Sequence, residues 1–292
     1  RFCGEYPNVS LVRIEHTPAG VSPKKYAVTK AVERAHNEVV VFTDADCVVG
    51  AEWLATIDRY FAANVGLVQG ITTYERPSGM NPLFFALQAV EFLSHGVVSA
   101  AAIGAGVPLN SNANNLAFRR EIFERIGGYG EMGDVVSGDD DLLLQRIAQT
   151  GDWEVRYMTD PAGAVKTKPT PTLDAIFEQR KRWGSKTVHY GSKQVALLSS
   201  IFVFYVCLPA VCAQAVFDRK ARKALGLMLA VKVGGEYLLM WPGTRLFGCR
   251  DLRRFLLPAS LLQLPLTVAA VVLGVFGRFS WKGRRFKRRS GA

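Results

Sequence analysis

Three short stretches bring reactive side chains close together. Asp44-Ala45-Asp46 directly follows the apolar run Val39-Val40-Val41-Phe42. Alternate residues on extended backbone point to one side, so Asp44 and Asp46 share a side where the chain turns out of a strand. Two carboxylates held this way suit a hard divalent cation with positions left open for phosphate oxygens. A cation there would neutralise the charge building on a departing diphosphate. The second stretch is Ser137-Gly138-Asp139-Asp140-Asp141-Leu142. Three adjacent carboxylates repel one another, which favours the protonated form of at least one. One of them can act as general base toward an acceptor hydroxyl, and another can stabilise the positive end of a helix. In the third, Gln179-Arg180-Lys181-Arg182-Trp183, positions i, i+3 and i+4 put Gln179, Arg182 and Trp183 on one helix face. A guanidinium forks onto a pyrophosphate, and an indole stacks on a sugar or caps a site. The same stretch also reads as a basic membrane flank with an interfacial Trp.

The elements that position these groups alternate between strand and helix. Val9, Leu11, Val12 and Ile14 alternate as a strand, and Lys24 to Ala35 carries apolar residues spaced for one helix face. Val39 to Phe42 has the character of a buried parallel strand. Its C-terminal end is the edge where open sheets bind ligands. A helix over 51–63, a strand over 65–73, a helix over 82–103 on the membrane surface or in the core, and a short helix from Ile122 to Ile126 stopped by Gly127-Gly128 follow. Beyond the acidic run come a helix to Thr150, a strand over 153–158, a Pro-rich connector over 161–171, and a helix capped by Thr172 or Asp174 that runs through Trp183. The fold class is α/β.

The last third changes character. Val195–Phe217 and Phe255–Gly277 are each 23 residues without a charge, longer than the roughly 20 needed to cross a bilayer. The segment 224–242 between them spans or lies re-entrant, with Lys232 and Glu236 spaced to pair within one helix. Two or three transmembrane helices follow, in a membrane domain over 191–292 after a catalytic domain over 1–190. The net charge of +11 concentrates beside the apolar segments, at Arg180 to Lys186 and at Arg284 to Arg289. That placement favours a membrane face. Without interleaved aromatics it does not make a nucleic-acid motif. Trp281-Lys282-Gly283-Arg284-Arg285 reads as an interfacial anchor. Cys3, Cys47, Cys207, Cys212 and Cys249 show no metal-ligand spacing and fit a reducing, cytoplasmic setting. Gly128 to Gly133 matches GxGxxG by letter alone, because no strand precedes it.

The order of the motifs, a strand-end DxD, an acidic helix start, QxxRW and then membrane spans, resembles the family 2 glycosyltransferases, which include cellulose, chitin and hyaluronan synthases. Ser22-Pro23-Lys24-Lys25-Tyr26-Ala27 is similar to that family's Lys-containing stretch. Asn112 to Arg119 is similar to its (G)xN-x-A-(F/Y)-R stretch, with the glycine pair Gly127-Gly128 after it. The resemblance implies a GT-A fold and an inverting single displacement. It implies Mn²⁺ or Mg²⁺ on Asp46, Asp44 on the donor's ribose or the metal, Lys25 toward the donor, Arg182 toward the diphosphate, and Asn115, Gln179 and Trp183 on the acceptor side. Asp139 falls at the base position. Gly138 replaces the usual acidic partner, which keeps Asp140 open as the alternative. The family's first strand, with its nucleotide-base-binding Asp, is expected upstream of Arg1.

The implied partners are a UDP- or GDP-linked sugar and a lipid or saccharide acceptor, met by a multi-pass protein of the inner membrane with its catalytic domain cytoplasmic. A processive polysaccharide synthase threads product through more spans than these, which favours single addition. The competing class is a non-catalytic basic membrane scaffold.

Overall fold

The computed structural model describes residues 5–135, 137–276, 278–281 and 284–287. Cys3, Lys282, Gly283, Arg288 and Arg289 lie outside the described residues.

Helix α1 (Pro23–Glu33) opens with Pro23 in its first turn and leads to strand β1 (Val39–Phe42). β1 does not run parallel to its neighbour, as expected, but pairs antiparallel with β5 (Leu116–Arg119). It lies at the edge of a sheet ordered β1-β5-β3-β6, where β3 is Val65–Gly70 and β6 is Glu154–Met158. β1 is therefore only half-buried, whereas β3 and β5 are buried throughout. A three-stranded sheet sets β2 (Val48–Val49) antiparallel to β7 (Val165–Thr167), which is parallel to β4 (Thr72–Tyr74). The strand expected over 65–73 is thus two strands in two sheets. The break falls at Gly70 and Ile71, where the Ile71 carbonyl accepts from Val165 N at 3.0 Å and from Asn115 Nδ2 at 2.9 Å. β7 lies inside the connector expected to be irregular.

Residues 9–14 form no strand. Among the described residues none pairs with them, and an unpaired extended segment has no ladder to hold it; Val9 and Leu11 stay exposed.

Helices α2 (Trp53–Tyr60), α4 (Arg120–Arg125) and α5 (Asp141–Gln149) pack with α1 around the sheet. Leu143, Leu144 and Ile147 of α5 meet Leu67, Leu116 and Phe118 of the central strands in one apolar core. Helix α3 (Pro82–Gly104) lies on the other side, with Ala86, Ala89, Val90, Leu93 and Val97 buried. Helix α6 (Leu173–Ser185) carries QxxRW, and its N-cap is Thr172, whose hydroxyl accepts from Ala175 N at 3.2 Å.

Three long helices follow: α7 (Ser192–Gln214), α8 (Arg219–Leu246) and α9 (Leu256–Phe276). β8 (Arg278–Trp281) and β9 (Arg284–Lys287) form an antiparallel hairpin after them. Among the described residues four helices are long and apolar enough to cross a membrane, namely α3 and these three. α3 stands apart because 44% of its apolar window is buried inside the protein, against 11% for α7 and α8. The expected pairing within α8 is present, with Lys232 Nζ 2.5 Å from Glu236 Oε1 and also bonded to the carbonyl and hydroxyl of Ser260 in α9.

Candidate active site

The acidic run divides its three carboxylates among different tasks. Gly138 has φ +83, and a Cβ there would meet Leu142 Cγ at 3.0 Å. A side chain at 138 would be strained as well as crowded, which accounts for glycine where an acidic residue was expected. The chain then turns so that Asp140 caps α5. Its Oδ1 accepts from Asp141 N at 2.8 Å and its Oδ2 from Ala113 N at 3.2 Å. Asp141 is buried and accepts from Ser111 N at 2.6 Å. Lys186, also buried, sits between the two with Nζ 3.3 Å from Asp140 and 2.5 Å from Asp141, and the Tyr190 hydroxyl donates to Asp141 as well.

Asp139 points elsewhere. Its Oδ2 lies 2.8 Å from Lys24 Nζ, which also reaches Asp44 Oδ1 at 3.3 Å. Lys24 therefore joins the acidic run to the strand-end carboxylates. Arg182 lies within electrostatic reach of the same group. Burial pulls its pKa below the ordinary value, and Asp140, Asp139 and Asp44 oppose that pull. The three stretches singled out in the sequence thus converge on one place.

The charges balance by proximity. Burial alone would lower the pKa of Lys24, but Asp139 and Asp44 carry it above its ordinary value. Lys186 follows the same logic, with Asp140 and Asp141 outweighing burial. Burial raises Asp141 despite Lys186, while for Asp140 the opposing pull of Lys186 and Lys24 prevails over burial and lowers it.

Two expected site residues take other positions. Lys25 lies within electrostatic range of Asp139 and Asp140 but makes no ion pair with them. It is 1% exposed and donates to the Met132 carbonyl at 2.7 Å, above the Tyr129 ring. Burial lowers its pKa to about 8. Neighbouring residues on a helix point about 100° apart, and here the one that reaches the carboxylates is Lys24. Asn115 is likewise 1% exposed, and both hydrogens of its amide are used, since Nδ2 donates to Ile71 and Gly163 carbonyls, while Oδ1 accepts from Trp53 Nε1 at 3.0 Å. In this structure it ties the two sheets together.

The QxxRW helix is held from behind by a buried ion pair. Arg180 Nε donates to Glu91 Oε1 of α3 at 2.7 Å, and a second guanidinium nitrogen donates to the other oxygen. Arg180 also lies over the Trp183 ring at 4.1 Å. His95 meets that ring edge-on at 5.4 Å and Phe92 lies 6.4 Å from it. Gln179 accepts from Arg180 at 2.5 Å. Lys24, Lys186, Tyr190, Arg180 and Glu91 were missed in the sequence. Lys24 and Arg180 stood inside stretches already singled out, and Lys186 in the basic flank beside the apolar segments.

Asp46 is exposed beyond the strand end, inside the turn closed by Cys47 N on the Asp44 carbonyl at 3.0 Å. Among the described residues no group of three or more His, Cys, Asp or Glu gathers to hold a metal. Asp44 and Asp46 offer oxygens only. That set fits a hard cation that takes its remaining ligands from phosphate and water.

A carboxylate cluster clasped by lysines and, among the described residues, four helices long and apolar enough to cross a membrane fit a membrane-associated protein with a charged site. The sequence matches the family model of Glycosyl transferase family 21 over residues 1–292, and the chain belongs to that family. The family expected from motif order, family 2, is corrected accordingly; DxD, acidic helix start and QxxRW do not by themselves separate the two. The chain is also similar to a polyketide synthase, GfsB of Streptomyces halstedii, at 27% identity over 104 residues, 36% of this chain and 2% of that protein. A mycobacterial protein of known crystal structure aligns at 15% identity and a TM-score of 0.32, covering 61% of this chain and 52% of that one. Neither likeness bears on activity.

Proposed function

We propose that the protein transfers a sugar from a nucleotide diphosphate donor to a lipid or saccharide acceptor by an inverting single displacement, on a GT-A type fold. The observation that carries this reading is Lys24, which bridges Asp139 to Asp44 and so sets the base beside the strand-end carboxylates. Asp139 is the base in preference to Asp140, because both oxygens of Asp140 are engaged in capping α5 and bonding Ala113 N. Asp139 takes the proton of the acceptor hydroxyl as that oxygen attacks the anomeric carbon and the nucleoside diphosphate leaves. Arg182 and Lys24 bind the diphosphate. Gln179 and Trp183 line the acceptor side, with Trp183 kept in place by Arg180 and His95. A divalent cation, Mn²⁺ or Mg²⁺, would be held by Asp46 with Asp44 beside it, and supplies charge neutralisation for the leaving group.

We place the division between catalytic and membrane parts at residues 190 and 191, with the catalytic part on the cytoplasmic face. Apolar helices beside the site favour a lipid-borne acceptor and single addition. The test is transfer in detergent with a panel of UDP- and GDP-sugars, with and without Mn²⁺. One donor should give metal-dependent diphosphate release that Asp46→Ala abolishes. Asp139→Asn should lose about 10²- to 10⁴-fold in transfer while donor and metal still raise its thermal stability. Wild-type turnover by Asp46→Ala would overturn the metal role, and wild-type turnover by Asp139→Asn the base.

A further inference from the structure

A second cationic site lies away from the acidic cluster, where the helices of the last third meet the sheets. The last turns of α8 and the 3₁₀ turn Arg250–Phe255 enclose a cavity of about 420 Å³ lined by Trp241, Pro242, Arg245, Arg250 and Arg253. Arg253 is fixed in its wall. It donates to the Trp241 carbonyl at 2.7 Å and to Thr244 Oγ1 at 2.9 Å, and its guanidinium lies 4.2 Å from the centre of the Trp241 ring. Among the described residues no carboxylate lies in ion-pair range of Arg245 or Arg250. Three guanidiniums in one small cavity repel one another unless an anion joins them. A cation completing the end of α8 explains Arg245 alone, because Arg250 and Arg253 lie beyond the helix.

The surroundings identify the anion. Leu238, Leu246, Leu257 and Leu261 are 80%, 46%, 47% and 55% exposed, and Trp241 is 51% exposed. The helices on either side of the cavity thus carry exposed apolar side chains and are long enough to cross a membrane. We propose that the cavity binds the phosphate of an anionic membrane lipid, with the guanidiniums on the headgroup, Trp241 at the interface and the leucines along the acyl chains. Free phosphate would satisfy the arginines and leave the exposed leucines unexplained. The inference stands on this cavity and does not depend on the sugar-transfer reading. The same segment packs on the sheets through Phe247, whose ring lies 5.9 Å from Tyr157, and through Leu252 and Leu256. A lipid here therefore seats the catalytic part against the bilayer.

The experiment titrates the full chain in a neutral detergent with phosphatidylglycerol, phosphatidylcholine or inorganic phosphate and follows the thermal midpoint. Arg253 helps hold the turn, so the variant is R245Q/R250Q, which leaves the bonds of Arg253 intact. A charge-matched control, R222Q/K223Q, removes two cations from the opposite end of α8. Phosphatidylglycerol should stabilise the wild type more than either other ligand. R245Q/R250Q should need about thirtyfold more of it, equivalent to about 2 kcal/mol at 1.4 kcal/mol per tenfold, and R222Q/K223Q should match the wild type. Equal weakening of both variants would show general surface charge and overturn the site, as would no weakening of R245Q/R250Q. Stabilisation by inorganic phosphate as strong as by phosphatidylglycerol would overturn the lipid as its ligand.

Discussion

Lys186→Met removes one ammonium from between two buried carboxylates and leaves a side chain of nearly the same length. Packing is little changed, so the loss is electrostatic. Breaking a buried pair by deleting one partner costs about 3–5 kcal/mol. The carboxylate left behind can limit that cost by taking up a proton. Holding a proton at a given pH on a carboxyl of ordinary pKa 3.8 costs about 1.36 kcal/mol for each unit between the two. The ceiling is therefore about 4.4 kcal/mol at pH 7 and about 1.6 kcal/mol at pH 5. The sign follows from linkage: a carboxyl whose folded pKa is raised is fully stabilising below its unfolded pKa, and that contribution is lost as pH rises through the folded value. The deficit of the variant must therefore grow with pH. At about 2 °C per kcal/mol for a chain of this size, the midpoint should fall by about 9 °C at pH 7 and about 3 °C at pH 5, each against wild type at the same pH. A deficit equal at both pH values would refute the reasoning, since it would mean that Asp140 and Asp141 do not share a buried site with Lys186. Lys186→Arg keeps the charge and should recover most of the loss.

Lys25 gives the opposite slope. Its folded pKa is lowered to about 8 from 10.5, so between those values the unfolded chain binds the extra proton and stability rises with pH. Wild type should gain about 2–3 kcal/mol on Lys25→Met between pH 8 and 10; parallel curves would show that Lys25 is not buried as a charge. Lys24 and Lys186 titrate above that window and cancel in the difference. At the contact of α8 with α3, a Cβ on Gly243 would lie 2.6 Å from Val97 Cγ2. Gly243→Ala should cost about 1–3 kcal/mol by overpacking, and Val97→Ala should restore most of it in the double variant. Additive losses in thermal unfolding would argue against the contact.

Much of the site was legible because its signals are local. A DxD after four apolar residues, three aspartates before a helix of strong amphipathic spacing, and QxxRW at i, i+3, i+4 each declare their element. In the structure Asp44 and Asp139 share Lys24, and Arg182 lies within electrostatic range of both. What escaped the sequence is long-range. Lys24 and Lys25 differ only in the rotation of α1 about its axis, which nothing near them fixes. Glu91 pairs with Arg180 across 89 positions, and Lys186 meets Asp140 across 46. No periodicity records such a partner. Asn115 sat in a motif-like stretch, but its amide was committed to the Ile71 and Gly163 carbonyls only once β3 and β4 parted into two sheets. β1 looked like a parallel strand because four consecutive apolar residues carry no information about which direction their neighbour runs.

The charge count around the cluster constrains the proposed chemistry further. Asp44, Asp139, Asp140 and Asp141 face Lys24, Lys186 and Arg182, with Lys25 within electrostatic range of Asp139 and Asp140, and Asp46 lies exposed two residues beyond Asp44. Lys186 is spent on the two carboxylates that fix the start of α5, and Lys24 is shared between Asp139 and Asp44. With every carboxylate ionised, the group keeps a negative excess, its most exposed carboxylate at Asp46. A diphosphate approaching that group is repelled, and Arg182 together with Lys24, which also serves Asp139 and Asp44, does not offset it. A divalent cation cancels the excess, so on the proposed reading donor and metal bind as a pair, each raising the affinity of the other. An uncharged replacement at Asp46 then has two separable effects. It lowers metal affinity, and it removes part of the repulsion of the bare diphosphate. Asp46→Asn should therefore bind free nucleoside diphosphate without metal at least as well as wild type does, while losing the metal-dependent gain. A variant weakened equally with and without metal would place Asp46 outside the donor site.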